Sequence, residues 1–356
     1  MSASKRVVVV GAGIVGASIA WHLASAGAAV TVIDAEEAGG LATRNSFAWI
    51  NASWGNPEPY FRLRVRSMVL WRGLGAAVPA IPLDWVGGLC FDLPAADLET
   101  YALEHGRWGY GLRKVDRAEA ARLEPSLAEP PELSMHVPEE GAVEPALAAT
   151  ALITDAARKG ARFYARRRVT GLIERGGKIA GVVTEGEDYE ADEVVLAAGV
   201  GTAGLAASTG VTIPVSTPPG LIVHSRPYVR LLNGVVLSPE LHMRQTATGR
   251  IIAAAEAAGG DPGSDASATA RALFARVKAM LRGAEDLVLD FHTIGYRAMP
   301  GDGFPIIGRA GRPGLYIAVT HSGVTLAPAI GQFVAEELLR EYRDPLLRPY
   351  GPERFG

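Results

Sequence analysis

The chain has 356 residues, 48% of them hydrophobic and 21% charged, with a formal net charge of −3. That is enough for about two domains with cores of their own, and it excludes both a polycationic nucleic-acid binder and an acidic disordered chain. A single cysteine, Cys90, rules out an internal disulfide and a cysteine-based metal site; it sets a reducing, cytoplasmic location as the expectation, and no apolar run is long enough to predict a transmembrane helix.

The first stretch, Lys5 to Asp34, carries the strongest signal. Val7-Val8-Val9-Val10 reads as a strand buried on both faces, the pattern of a central parallel strand. G-A-G-I-V-G follows at once, from Gly11 through Ile14 and Val15 to Gly16. Gly11 allows a tight strand-to-helix turn, Gly13 lets a pyrophosphate approach the backbone, and Gly16 lets the helix pack on the sheet. The phosphates then lie at a helix N-terminus. A second strand, Val30 to Ile33, ends at Asp34, an acid placed to accept hydrogen bonds from ribose hydroxyls and to disfavour a 2′-phosphate. The rival reading is a secretory signal, with Lys5 and Arg6 before an apolar stretch and Ala24-Ser25-Ala26 as a cleavage site. Phosphate-loop glycine spacing and the strand directly beyond argue against it.

After a polar loop from Glu36 to Ser46, a helix is predicted over Pro57 to Leu74, with Pro57 in its first turn. Leu83 to Leu93 reads as strand, turn and strand. Ala95 to His105 is predicted helical, and a short helix follows, capped by Asp116 with Glu119 three residues on. Pro125, Pro130, Pro131 and Pro138 mark a domain crossing. A helix from Pro145 to Lys159 stops at Gly160. Strands near Arg166 to Glu174 and Lys178 to Glu185 are joined at Arg175-Gly176-Gly177, and the apolar strand from Glu193 to Gly199 returns the chain to the first sheet. Pro214 to Pro219 is the next crossing. Antiparallel strands then fall at 221–225, 234–237, 242–245 and 250–255, before a helix over Ala266 to Arg282. At the end, Gly314 to Val319 forms a strand, Thr320 to Thr325 a turn, and a helix runs from about Leu326 to Arg340 with Pro328 in its first turn.

Side chains outside the glycine turn are read more evenly. His242 and Arg244 share one face of their strand by period two, toward a ligand or toward solvent. Trp49, Trp54 and Trp85 read as core, His22 as a packing residue in the first helix, and Arg166-Arg167-Arg168 as a solvated strand end. No metal-ligand set and no Ser-His-Asp arrangement can be read from the spacing.

The chain resembles the D-amino-acid oxidase, glycine oxidase and sarcosine oxidase family of FAD-dependent amine oxidoreductases over nearly its whole length. The resemblance rests on the opening turn with Asp34, on Gly141 to Phe163, on Ala191 to Thr202, and on "GYRAMPGDGFPIIGR" with "LYIAVTHSGVTLAPAIGQFVAEEL". It implies an α/β fold: a Rossmann-like FAD-binding domain of the GR2 type at 1–82, 139–215 and 290–356, and a mainly antiparallel α+β substrate domain at 83–138 and 216–289. FAD is implied on Gly11, Gly13, Ile14, Val15, Gly16, Asp34 and Ala35, with the loop Thr43, Arg44, Asn45 and Ser46 beside it. Val169 is implied at the adenine, Ala198 and Gly199 as a closure over the cofactor, and Ser322, Gly323, Val324 and Thr325 at the flavin.

Arg297 matches the family's carboxylate-binding arginine and would also touch the flavin region; the competing reading is an ordinary ion-pair residue. His321 is equally open between a contact to substrate or flavin and a structural role, and His242 and Arg244 complete the catalytic candidates. Three departures matter. The second arginine that some relatives carry after the histidine is absent. No cysteine precedes the proline-rich motif, which implies non-covalent FAD. No lysine stands in Arg250 to Ala254, where some relatives use one to activate oxygen. The implied reaction is hydride transfer from a C–H next to nitrogen in an amino acid or a secondary or N-methylated amine, giving an imine that hydrolyses. Electrons would pass to O2 or another acceptor. The alternatives are a 2-hydroxy-acid dehydrogenase of the same fold and an FAD-holding subunit of a heteromeric amine dehydrogenase. A homo-oligomer is also compatible, and no nucleic-acid partner is expected.

Overall fold

A computed structural model describes residues 4–256 and 259–356 of the chain. Two large sheets organise it. The first has six strands in the order Ile306–Arg309, Leu315–Val319, Glu193–Leu196, Arg6–Val10, Ala29–Ile33 and Arg162–Tyr164. All neighbours are parallel except the outermost pair, Ile306–Arg309 with Leu315–Val319. The valine run sits at the centre, where alternation divides it. Val7 and Val9 pack under the helices Ile14–Ser25, Glu58–Ala77, Pro145–Arg158 and Gly323–Arg340, whereas Val8 and Val10 pack with Ile179, Val182 and Ile213 on the opposite face. Each buried valine contributes about 1.5–3 kcal/mol relative to exposure. A three-stranded sheet covers that second face; its hairpin turns at Gly176 and Gly177, with φ of 59° and 76°, the two positive values that a tight I′-type turn requires.

The second sheet has eight strands, in the order Leu289–Tyr296, Pro219–Ser225, Ile251–Ala254, His242–Gln245, Val235–Leu237, Gly88–Cys90, Leu133–Val137 and Arg113–Asp116. One face, with Leu221, Val223, Met243 and Ala253, packs on the helix Ala266–Met280 through Leu273, Phe274 and Val277. The other face, with Ile222, Leu237, Ile252 and Ala254, turns toward Phe47 and Trp49 of the first unit. Because Leu289–Tyr296 pairs along its length with Pro219–Ser225, this segment belongs to the second sheet, and the boundary expected at 290 moves past Tyr296.

Two local features refine the expectations. Leu83–Asp84 and Gly88–Cys90 are the two strands expected between Leu83 and Leu93, but they part company: the former joins Gly141–Val143 in a small sheet with Trp49–Ile50, and the latter enters the eight-stranded sheet. The C-terminal helix begins at Gly323, so Pro328 lies inside it rather than in its first turn. Proline has no N–H to give the carbonyl four residues back. That carbonyl belongs to Val324, and it accepts a hydrogen bond from Trp71 Nε1 at 2.9 Å instead.

Candidate active site

A cavity of about 1070 Å³ runs between the two sheets, from the glycine turn to the start of the last helix. It exceeds the ~300–1,000 Å³ of a site for one drug-sized ligand, which leaves room for a cofactor and a substrate together.

At the first end the backbone has no space for side chains. Gly11 holds φ of +108°, and a Cβ there would lie 2.4 Å from Ala197 O. A Cβ on Gly16 would lie 2.0 Å from Gly11 O; Gly16 therefore seats the helix behind the turn and does not line the cavity. Ile14 N, at the helix start, donates to Thr43 Oγ1 at 3.1 Å, which fixes the Thr43 loop beside Gly13. Asp34 accepts from Ala12 N at 2.5 Å and Glu36 N at 2.8 Å, while burial pushes its carboxyl above the usual range. Ile14, Val15, Ala35, Asn45, Ser46, Val169, Ala198 and Gly199 complete this part of the wall with Gly11, Gly13, Asp34 and Thr43. Arg44 does not: its exposed side chain folds back to donate to Gly40 O at 2.8 Å.

At the far end, Ser322, Gly323, Val324 and Thr325 present the N-terminus of the last helix to the cavity. Thr325 Oγ1 donates to Trp49 O at 3.2 Å. Arg297 lines the same space. Its Nη2 donates to Pro219 O at 3.2 Å, and its buried Nε has no partner among the described residues. Burial lowers the pKa of this guanidinium. His321 also lines the cavity, and its imidazole is held down to about 4, by burial first and then by Arg64 and Arg297.

His242 and Arg244 do share one face of their strand, but they diverge in role. His242 lines the cavity, with Nε2 3.2 Å from Asp92 Oδ2. Arg244 does not line it. Two residues further along, it passes under the other unit, donating to Phe47 O at 2.7 Å, Val143 O at 3.3 Å and Glu144 Oε1 at 3.1 Å. It clamps the eight-stranded sheet to the segments around Phe47 and Val143.

Several wall residues escape a reading by sequence. Arg64 donates to Asn51 O at 3.0 Å, Asn51 Oδ1 at 2.7 Å and Ser322 Oγ at 2.8 Å. It brings to the cavity a second guanidinium, which the segment after His321 lacks. Its signal was available: Arg64 interrupts the buried helix stripe of Tyr60, Ser67, Met68 and Trp71. Trp49 and Trp54, expected in the core, line the cavity, whereas Trp85 stacks under Arg72. Trp49 is held by Glu140, whose buried carboxyl accepts from Trp49 Nε1 at 2.9 Å, from Tyr110 OH at 2.5 Å and from Ser53 Oγ. Burial pushes Glu140 up to about 7. Asp92 had no local signal at all. His22, by contrast, packs as expected: its ring sits edge-on to Trp21 and bonds Ser18 O at 2.8 Å. Arg168 is not only a solvated strand end, since it lines the nucleotide end of the cavity.

The glycine cradle, the two helix N-termini and the unpartnered Arg297 Nε together fit a long dinucleotide cofactor with an anionic molecule beside it. Among the described residues no helix is long and apolar enough to cross a membrane.

Comparison with known proteins agrees with this geometry. The profile of the family described as FAD dependent oxidoreductase matches residues 6–337. The chain is 26% identical to a component of the opine oxidase of Rhizobium meliloti, over 98% of this chain and 96% of that protein. It is 27% identical to glycine oxidase of Pseudomonas aeruginosa, over 98% of this chain and 99% of that one. Among solved structures, L-proline dehydrogenase from P. horikoshii superimposes with a TM-score of 0.88 at 26% identity, covering 99% and 98% of the two chains.

Proposed function

We propose, because the chain belongs to the FAD-dependent oxidoreductase family, that it oxidises the carbon–nitrogen bond of a carboxylated amine: an amino acid, or a secondary or N-methylated amine. FAD, when bound, supplies the hydride acceptor, and water then hydrolyses the resulting imine to a carbonyl compound and an amine or ammonia. Gly11, Gly13, Asp34 and Thr43 would hold the nucleotide half, and the Ser322 to Thr325 turn would offer the N–H groups of a helix start to negative charge on the flavin. In this reading the first sheet's segments carry the cofactor and the eight-stranded sheet carries the substrate.

The observation that carries the reading is Arg297. Its guanidinium faces the same cavity as both helix starts and, among the described residues, spends only one of its N–H groups on a carbonyl. It is therefore available for a bidentate carboxylate. His321, kept uncharged at neutral pH by burial first and then by Arg64 and Arg297, does not compete for that anion. Cys90 is buried and does not line the cavity, which supports non-covalent FAD and fits a reducing cytoplasm. Among the described residues no lysine lines it either, which favours an electron acceptor other than O2. A second reading, an FAD-holding subunit in a heteromeric dehydrogenase, draws on the likeness to a protein named as one subunit of opine oxidase.

The test is anaerobic mixing of the yellow protein with amines, D- and L-amino acids and 2-hydroxy acids. Bleaching by amines supports the proposal, and bleaching by hydroxy acids alone overturns it. In Arg297→Ala the KM for a carboxylated amine rises by the equivalent of about 2–5 kcal/mol; an unchanged KM removes Arg297 from the site.

A further inference from the structure

Among the described residues the cavity wall holds three acids: Asp34 and Glu36 at the nucleotide end, and Asp92 at the substrate sheet. Asp92 lies just beyond the strand Gly88–Cys90. Its side chain is 7% exposed and that of His242 12%, with Asp92 Oδ2 3.2 Å from His242 Nε2. The register explains the meeting. Leu237 is the ladder partner of both His242 and Cys90, so the two side chains converge over the strand between them. Asp92 Oδ1 has no hydrogen-bond partner among the described residues.

Burying a carboxylate is costly unless opposite charge or donors compensate it. Here the histidine compensates one oxygen only. The surroundings are apolar and aromatic: Ile222, Leu237, Trp49 and Trp54 line the same region. An acid on an aromatic wall is the combination that holds an organic cation, through charge on one side and ring faces on the other.

The position of the acid relative to Arg297 fixes where on a substrate that cation lies. The strand of His242, whose ring Asp92 meets, is three ladder steps from the strand that ends at Tyr296, and the strand before Asp92 lies two steps further, which puts the acid roughly 14 Å or more away across the sheet at ~4.8 Å per step. A substrate whose carboxylate meets Arg297 therefore reaches Asp92 only with a group several bonds away. We propose that Asp92, oriented by His242, is a subsite for a distal cation, and that the preferred substrates are carboxylated amines with a second, basic nitrogen at the end of an apolar stem. The substrate class rests on the C–N oxidation reading above; the cation subsite itself can be tested without turnover.

Flavin-loaded protein is titrated with 6-aminohexanoate and with hexanoate, following the flavin absorption band and the heat of binding. The two probes share a carboxylate and a stem and differ in the terminal ammonium. 6-Aminohexanoate binds at least about tenfold tighter, and Asp92→Asn loses that advantage while Asp92→Glu, which keeps the charge, retains most of it. Equal binding of the two probes by the wild-type protein overturns the proposal, whatever becomes of the variants. So does an Asp92→Asn protein that holds its flavin and keeps the preference. Anaerobic bleaching then separates the two ideas. An Asp92-dependent probe preference with no bleaching by any amine removes the oxidation reading and leaves the cation subsite; bleaching by amines with no such preference removes the subsite alone.

Discussion

Trp71 and Pro328 are predicted to be energetically coupled, because each answers a defect made by the other. Pro328 sits inside the helix Gly323–Arg340 and leaves Val324 O without its intrahelical donor; Trp71 Nε1 supplies one at 2.9 Å. The donor is fully buried, Trp71 being 0% exposed, while the acceptor residue Val324 is half-buried at the cavity wall. Trp71→Phe keeps an aromatic ring but removes the donor. Leaving this half-buried carbonyl unsatisfied costs about 1 kcal/mol, the low end for a lost partner, to which the smaller ring adds a cavity penalty. Pro328→Ala restores an N–H at the position that bonds Val324 O. In the Trp71→Phe background it recovers about 0.5–1.5 kcal/mol more than it does alone. Urea unfolding of the wild type, both single variants and the double variant gives the coupling energy directly. If the effects add to within about 0.3 kcal/mol, the bond from Trp71 does not replace the one proline removes, and the account of this helix start is wrong.

Arg64→Met strips the donors from Asn51 and Ser322; it is expected to cost about 3 kcal/mol or more of stability and to release flavin on gel filtration. Arg64→Lys recovers only part, since an ammonium cannot reproduce the planar fork. Wild-type flavin content and urea midpoint in Arg64→Met would contradict the role. Acid stability follows from the buried histidines. His22, His224 and His321 are each held near 4, in all three by burial first. The unfolded chain takes these protons at about 6.5, so their stability is present above that pH and is lost as pH falls toward about 4. His22→Gln therefore narrows the stability difference between pH 7 and pH 4.5 by up to about 3 kcal/mol, read from urea midpoints at the two values; an unchanged difference contradicts it.

The parts legible in sequence are those whose physics is local. Strand, glycine turn, helix and acid follow one another within the first thirty or so residues, and the short helix capped by Asp116 does bond Glu119 N, at 2.8 Å. Pro328 misled because proline is most at home in a first turn; only the distant Trp71 makes its interior position tolerable. Period two placed His242 and Arg244 on one face, but nothing in the strand says that Phe47 and Glu144 cover the second of them. Asp92 meets His242 only through the ladder at Leu237, and such a pairing of residues 150 positions apart has no local trace.

The close seating of the first helix against the last has a consequence for biosynthesis. A Cβ on Gly331 would lie 2.3 Å from Ser18 Oγ and 2.5 Å from His22 Nδ1, so these helices touch almost backbone to backbone. Two strands of the first sheet, Ile306–Arg309 and Leu315–Val319, are likewise made near the end. On the ribosome, the first helix is made about 300 residues before the last helix that covers this side of it. Until then the side of the first helix that Gly331 seats stays uncovered, surface of the kind that aggregates or recruits chaperones during synthesis. A nucleotide that binds only the folded arrangement would lock this late-closing pair of helices in place.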